Sequence, residues 1–569
     1  MTKQSGFPDA EFVSPTAPSF AELLERLGGN EKLKASRLRD LKSSVTRLAQ
    51  IIRPDRPLAH IPADPEWCRI QIARILPASL VITAKTWSTL TSDFSRALIV
   101  ARITAPRFEV KLTGAWAILW ERLRETGDMQ LSTGLSRLPR FCQLEGLSPS
   151  DVSQKTVALY AAALRRSGVT GAPDEAVYRT VRAWNLAAKR VNGWPQLHLS
   201  PPDRRRSYAL PWSMFPASLE ADVNAWLAMG SDDDIFRTGG PRSALSPATV
   251  KLRKGSMQRF ATALVKAGQP IETLTELRVI VQPNMAETGL RWLHQRAQGK
   301  LGGGLGNIAI TVKMAAKIWV DLPQRDLEKL ATFAQRLSAS DPGMTTKNRV
   351  RLDALKDPKT LLKLLRLPET LVRQAKTVKH PARKAALYET ATAIALLIAC
   401  PIRFDNLCNL EVDVHFEVIG RGRTQRQILR IPKATVKNRV DLNFEVPLAV
   451  ATLIAQFTKA HRAALTATSS RYLFSKRSAD APIDWNTLRR RITEAICRNV
   501  GVRLTPHNFR HVAAFILLSK FPGGYEQVRR LLGHKNGSTA VDHYVGLESD
   551  AAHKMFTQLL HDLENDDHE

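Results

Sequence analysis

Apolar residues recur at three- and four-residue steps through about the first 400 positions, and this pattern commits most of the chain to α-helix. Leu38, Leu41, Val45, Leu48 and Ile52 make one such stripe, which Pro54 and Pro57 end. Leu131, Leu135, Leu138 and Cys142 make a second, closed by Gly146 and Pro149. Pro139 lies inside it, so a break is expected there. Met257, Phe260, Ala261, Leu264 and Val265 make a third, closed by Gly268 and Pro270. Ser246-Pro247 suits its start, as an N-cap followed by proline at the first helical position. Arg47, Arg137 and Arg259 stand at equivalent places in these weakly repeated units.

A chain of 569 residues is too long for one core, and domains of about 100–200 residues imply roughly three or four. Residues 200–216 are rich in proline and contain Arg204-Arg205-Arg206, and residues 338–350 are small and polar. Both read as linkers. The expected division is 1–200 for N-terminal helical units, 215–338 for a further helical domain and 345–569 for a C-terminal domain. Gly302-Gly303-Gly304 reads as a flexible turn, because the GK[ST] of a phosphate-cradling loop is missing.

Lys plus Arg number 83 against 53 Asp plus Glu, a formal charge of +30. A field of that sign attracts polyanions, nucleic acid first and an anionic membrane surface second. The most apolar helical stretch, residues 391–402, is shorter than the roughly 20 residues that a membrane span needs. The N-terminus has no basic start followed by an apolar run, so no secretory signal is expected. The cysteines (Cys68, Cys142, Cys400, Cys408 and Cys497) are odd in number and scattered, which fits buried thiols in a reducing cytoplasm. No metal site is expected: Cys400 and Cys408 have no matching histidine pair.

Residues 384–550 carry the chemistry. The apolar helix of KAALYETATAIALLIAC runs into Pro401-Ile402-Arg403, and an arginine placed just after a buried helix needs a partner. Two strand-like segments, 428–432 and 442–447, flank a connection holding Lys433 and Lys437. His507, Arg510 and His511 follow in LTPHNFRH, then His534 in LLGH and finally Tyr544. Paired arginines can clamp the non-bridging oxygens of a phosphodiester and stabilise charge in the transition state. Histidines can move protons near neutral pH, and a lysine can protonate a leaving alkoxide. A tyrosine can attack phosphorus, although its ordinary pKa of about 10 demands a cationic site.

This order resembles the tyrosine recombinase (phage integrase) family, in which an arginine after a buried helix, a hairpin lysine, HxxRH, LLGH and a C-terminal tyrosine follow one another. The resemblance is strong over 384–550. The extra N-terminal units resemble those of large bacterial transposon-type integrases. It implies a multidomain, mainly α protein, with helical SAM-like core-binding domains followed by a mixed α/β catalytic domain. The implied catalytic set is Arg403, Lys437, His507, Arg510, His534 and Tyr544. The implied activity is cutting and rejoining double-stranded DNA through a 3′-phosphotyrosine, for integration or excision of a mobile element. It calls for no cofactor and no metal, and for a homotetramer on DNA, with or without other recombinase subunits, in the bacterial cytoplasm at the nucleoid. Three positions depart from the family pattern. Asn406 stands where an acidic residue is common, with Asp405 beside it. Lys433 competes with Lys437 for the hairpin role. Tyr544 follows His534 by ten residues where nine is usual, and an insertion at the Gly537 turn would absorb the difference.

Two other readings remain: a type IB topoisomerase with similar chemistry, and a DNA-binding regulator or subunit that keeps the fold without cutting. A membrane-surface protein is a distant third, since no long basic amphipathic helix with exposed aromatics is present. Lys437 is preferred over Lys433 because it sits beside Asn438 at the presumed turn. Lys437→Ala is therefore expected to slow DNA cleavage by about 10²–10⁴-fold, the usual contribution of a positioned acid, and Lys433→Ala to have a mild effect. The reverse ranking in a cleavage assay would move the role to Lys433.

Overall fold

The computed structural model describes residues 13, 16–29, 33–80, 82–104, 108–168, 171–201, 208–231, 244–338, 344–421, 425–436, 440–466, 469–534, 544, 553 and 555–557. Arg204 to Arg206, Lys437, Asn438, Gly537, Asp542 and His543 lie outside the described residues. The chain divides into two compact units, residues 203–343 and residues 1–202 together with 344–569. None of the described helices is long and apolar enough to cross a membrane.

The second unit opens with two helical cores. The first gathers Phe20, Leu23, Leu48, Trp67, Phe94 and Leu98, and the helix Ala35–Ile52 buries the expected Leu41, Val45, Leu48 and Ile52. Its buried Asp93 accepts from Arg37 Nη2 at 2.6 Å and Ser44 Oγ at 2.9 Å, so a carboxylate in the core keeps its partners. The second core surrounds Trp116, Leu135, Tyr160 and Trp184. Here the stripe around Pro139 does break, into Met129–Leu135 and Leu138–Leu144. Pro139 sits in the first turn of the latter, where a missing N–H costs no helical hydrogen bond.

Residues 203–343 form a helical unit around Phe260, Leu264, Leu290 and Val312. The helix Pro247–Lys266 starts as expected: Ser246 Oγ accepts the Thr249 N–H at 3.2 Å. Gly302–Gly304 departs from expectation. Gly302 is an N-cap, and Gly303 and Gly304 are the first turn of the helix Gly303–Ile318. Burial of Leu305, Ile308, Ala309 and Val312 along one face outweighs the roughly 1 kcal/mol that each helical glycine costs.

The C-terminal part of the second unit, from residue 344, is built on the helix Pro381–Ala399, buried on every side along its second half. Such a helix must be apolar all round. Its one buried carboxylate, Glu389, is met by Arg491 on the helix Trp485–Asn499. Burial nevertheless pushes the Glu389 carboxyl up to about 7. Pro401 stops the buried helix by holding Cys400 in an extended conformation. A three-stranded antiparallel sheet follows, β1 (Phe416–Ile419), β2 (Arg426–Ile431) and β3 (Leu442–Val446), in the order β1-β2-β3. β2 and β3 are the two segments read from the sequence, paired Leu429 with Phe444 and Ile431 with Leu442. β1 is not foreseen by the sequence pattern, because four residues that are mostly exposed leave no period to read.

Packing in the 203–343 unit is tight enough to test. A Cβ on Gly289, in the helix Pro283–Arg296, would lie 2.6 Å from Phe260 Cε2 and 3.1 Å from Leu264 Cδ2. Gly289→Ala adds about 1 kcal/mol of helix propensity, but overpacking costs about 1–3 kcal/mol. A net loss of about 0–2 kcal/mol is expected in urea unfolding, and a stabilised variant would contradict the close approach.

Candidate active site

Arg510 is the residue around which the site is built. It lies on the helix Asn508–Lys520 and is 4% exposed. Its Nη1 donates to the Pro401 carbonyl at 2.8 Å, just beyond the buried helix. Its Nη2 donates to the Leu532 carbonyl at 2.7 Å, at the end of the helix Tyr525–Leu532. A guanidinium at a helix C-terminus meets orphan carbonyls and the negative end of the helix dipole. Even so, burial first, and then the Arg403 charge, lower the Arg510 pKa to about 10, against the opposing influence of Tyr544.

The turn after Leu532 delivers His534. Gly533 is left-handed at φ +61, and a Cβ there would come within 2.5 Å of Leu442 Cδ2 on β3. Glycine is required on both counts. The His534 N–H donates to the Arg529 carbonyl at 3.0 Å, and Arg529 Nη1 donates to the His534 carbonyl at 3.1 Å. The His534 ring brings Nε2 to 3.3 Å from Arg510 Nη2. A guanidinium only donates, so Nε2 accepts, and a neutral ring then carries its proton on Nδ1.

Tyr544 is 3% exposed. Its ring stacks on His534 at 6.4 Å between centroids and meets the His511 ring edge-on at 5.6 Å. Burial pushes its phenol up to about 12, although the Arg510 and Arg403 charges pull the other way. Arg403 caps the short helix Phe404–Cys408. Its Nη1 is buried and has no hydrogen-bond partner among the described residues. Burial lowers its pKa, and Tyr544 opposes that shift.

Four of the six expected residues therefore converge: Arg403, Arg510, His534 and Tyr544. His507 is exposed at the N-cap of the Asn508–Lys520 helix and stands edge-on to His511 at 5.5 Å. It approaches the group through His511. Lys437 lies outside the described residues. Lys433 is exposed in a 3₁₀ turn, Lys433–Thr435, where its N–H donates to Asp441 Oδ1 at 2.6 Å. Asn406, at the family's acidic position, donates from Nδ2 to the Thr435 carbonyl at 3.3 Å. It thereby joins the arginine-bearing helix to the connection holding both lysines. His511, absent from the expected set, is the residue sequence reasoning missed. Its signal was its place beside Arg510 and one turn after His507.

Residues 368–550 match the phage integrase family. They are an integrase domain. No curated protein matches the chain. Among solved structures, the XerA recombinase is 17% identical with a TM-score of 0.26, covering 55% of this chain and 92% of its own. The XerH site-specific recombinase bound to palindromic difH substrate in a post-cleavage complex is 11% identical with a TM-score of 0.36, covering 80% and 99%. The Tn1549 transposon integrase in complex with a circular intermediate DNA is 13% identical with a TM-score of 0.37, covering 60% and 100%. These values leave them as similarities and nothing more. Among the described residues, no group of histidine, cysteine and carboxylate side chains has the arrangement to hold a metal.

The two arginines of the integrase domain should separate in stability measurements. Arg510→Ala leaves two inner carbonyls unmet, at about 1–3 kcal/mol each, so urea unfolding should show a loss of about 2–6 kcal/mol. Arg403→Met removes a partly buried cation whose Nη1 meets nothing among the described residues, so stability should hold or rise. Equal losses in the two variants would contradict these different roles.

Proposed function

We propose that this protein is a site-specific DNA recombinase that cuts and rejoins double-stranded DNA through a 3′-phosphotyrosine at Tyr544. The observation that carries the reading is Tyr544 held between His511 and His534 within the field of a buried and a partly buried guanidinium. In the reaction, Arg403 and Arg510 take the non-bridging oxygens of the scissile phosphate. Arg510 is already fixed by two carbonyls, while the buried Arg403 Nη1 has no hydrogen-bond partner among the described residues to give up. The Tyr544 Oη attacks phosphorus, and its proton passes to His511, since the His534 Nε2 already accepts from Arg510. The P–O bond to the 5′ oxygen breaks, and that oxygen takes a proton from Lys437. Reversal with the 5′ hydroxyl of another strand rejoins the DNA. The phosphotyrosine conserves the energy of the broken diester, so no nucleotide is consumed.

Its arginines supply the charge stabilisation that a metal provides elsewhere. Integration or excision of a mobile element, by a homotetramer on its DNA, is the biological setting we assign. The charge of +30 suits so large an anionic partner.

A nicked duplex built from the DNA flanking its own gene tests the chemistry. Wild type should form an SDS-resistant adduct that peptide mapping assigns to Tyr544. Tyr544→Phe should bind equally well and form none, because the ring is kept and the attacking oxygen is lost. An adduct in the Phe variant, or one mapped to another residue, would overturn the assignment.

A further inference from the structure

The N-terminal helices meet the integrase domain at a contact that the proposed chemistry does not use. Both belong to the same compact unit. On the N-terminal side is a 3₁₀ turn, Pro77–Leu80, which follows the helix Pro65–Arg74 in the chain. Its shape is fixed from within. The Ser79 N–H and Oγ both donate to the Leu76 carbonyl, at 2.9 and 2.7 Å, and the Ile82 N–H donates to the Pro77 carbonyl at 3.1 Å. On the integrase side is Gly501, just past the helix Trp485–Asn499, with its N–H on the Ile496 carbonyl at 3.3 Å. Gly501 has φ +82, the left-handed backbone that ends many helices. A Cβ there would lie 2.8 Å from the Ala78 carbonyl carbon and the Ser79 Cα, and closer still to the Ser79 nitrogen. The two backbones therefore touch directly, with no space for a side chain between them.

What stands behind the contact on each side gives it reach. Arg69, on the helix Pro65–Arg74, donates from Nε to the Gly168 carbonyl at 3.2 Å and from Nη2 to the Arg165 carbonyl, at the end of the helix Gln154–Arg166. A cation on the orphan carbonyls of that helix ties the first helical core to the second. On the integrase side, Val502 and Leu504 are buried. The Thr505 N–H donates to Asn508 Oδ1 at 2.9 Å, at the start of the helix that carries Arg510 and His511. The chain thus runs from the contact at Gly501 straight into the candidate site.

From this geometry we propose that the Pro77–Leu80 turn is a docking element for the integrase domain, and that its seat on Gly501 holds the 501–507 segment, and with it the helix of Arg510 and His511, in the working position. Ser79 and Gly501 are then positioning residues. A segment restrained by a backbone contact at one end and by Asn508 at the other opens less often than one held at a single end. The inference rests on the recombinase reading only for what the held segment does.

Amide hydrogen exchange of the full-length chain reads the contact without DNA. Ser79→Pro removes the N–H that closes the turn and disfavours helical backbone at Ala78, without altering the integrase domain itself. Gly501→Asn keeps the left-handed backbone, which asparagine tolerates, and pushes a side chain into Ser79. In both, the hydrogen-bonded amides of Thr505 and Asn508 should exchange about 2–30-fold faster. The double variant should be no faster than either single one, because both remove the same contact. Gly523→Asn, also at φ +82 but with no atom within 4 Å of its Cβ, should match wild type. Melting curves show which variants are folded. A folded Ser79→Pro with wild-type exchange at Thr505 and Asn508, or a double variant in which the two effects add, would overturn the docking. On nicked DNA, Ser79→Pro should form the covalent adduct more slowly by a similar factor with DNA affinity unchanged, and a wild-type rate despite a loosened segment would overturn the positioning role. The recombinase reading fails separately: if wild type never links to nicked DNA while Ser79→Pro still loosens the segment, the docking stands and the chemistry does not.

Discussion

Arg510 brings a permanent charge to a place that water scarcely reaches, and two backbone carbonyls meet it there. Those carbonyls belong to segments far apart in sequence, Pro401 after the buried helix and Leu532 at the end of a later one. A single rigid guanidinium fork thus sets the separation of Arg403, two residues beyond Pro401, and His534, two residues beyond Leu532. A lysine could not do this, since it offers a point charge where a planar fork spans two acceptors. The need for such a fork also explains why the helix Pro381–Ala399 must be so apolar. Only a firm, close-packed core fixes the Pro401 carbonyl well enough to be an anchor.

Much of this arrangement is legible in the amino-acid order. The helical stripes at 38–52 and 257–265 carry their period in plain view, and their cores form where it indicates. The Pro139 break follows from proline chemistry. The two paired strands are marked by β-branched and aromatic residues, and Arg403, Arg510, His534 and Tyr544 by the family resemblance that their order carries. What cannot be read depends on distant neighbours. Gly302–Gly304 looks like a turn locally, and only the burial of the following residues draws it into a helix. β1 is too short to show alternation. His511 gains its place against Tyr544 from chain segments more than thirty residues apart. Spacing implies that His507 and Arg510 share a helix face, but gives no hint that one is exposed and the other enclosed.

The glycine at 533 illustrates how a small residue can set the position of a large one. It turns the chain through a left-handed conformation, and a Cβ there would have to displace the Leu442 side chain of β3. His534 therefore leaves the helix in one direction only, and the reciprocal bonds with Arg529 hold that direction. The ring then accepts from Arg510 and stacks on Tyr544, so one turn conveys the geometry of the sheet to that tyrosine.

The electrostatics of the site are unfinished without a substrate. Burial lowers the pKa of both guanidiniums, and the Arg403 charge lowers that of Arg510 further. The nearby phenol keeps its proton because burial outweighs the pull of the two cations. In the proposed reaction a phosphodiester would supply the missing negative charge and a partner for the buried Nη1 of Arg403, which has none among the described residues. That same negative charge disfavours a free phenolate, so cation clustering alone cannot generate the nucleophile once substrate is bound. In the proposed reaction the proton would leave as the oxygen attacks, and a neutral histidine with an unengaged ring nitrogen would take it. His511 and His534 both lie beside the Tyr544 ring, and a site of arginines and a tyrosine alone would hold no such base for the proposed reaction.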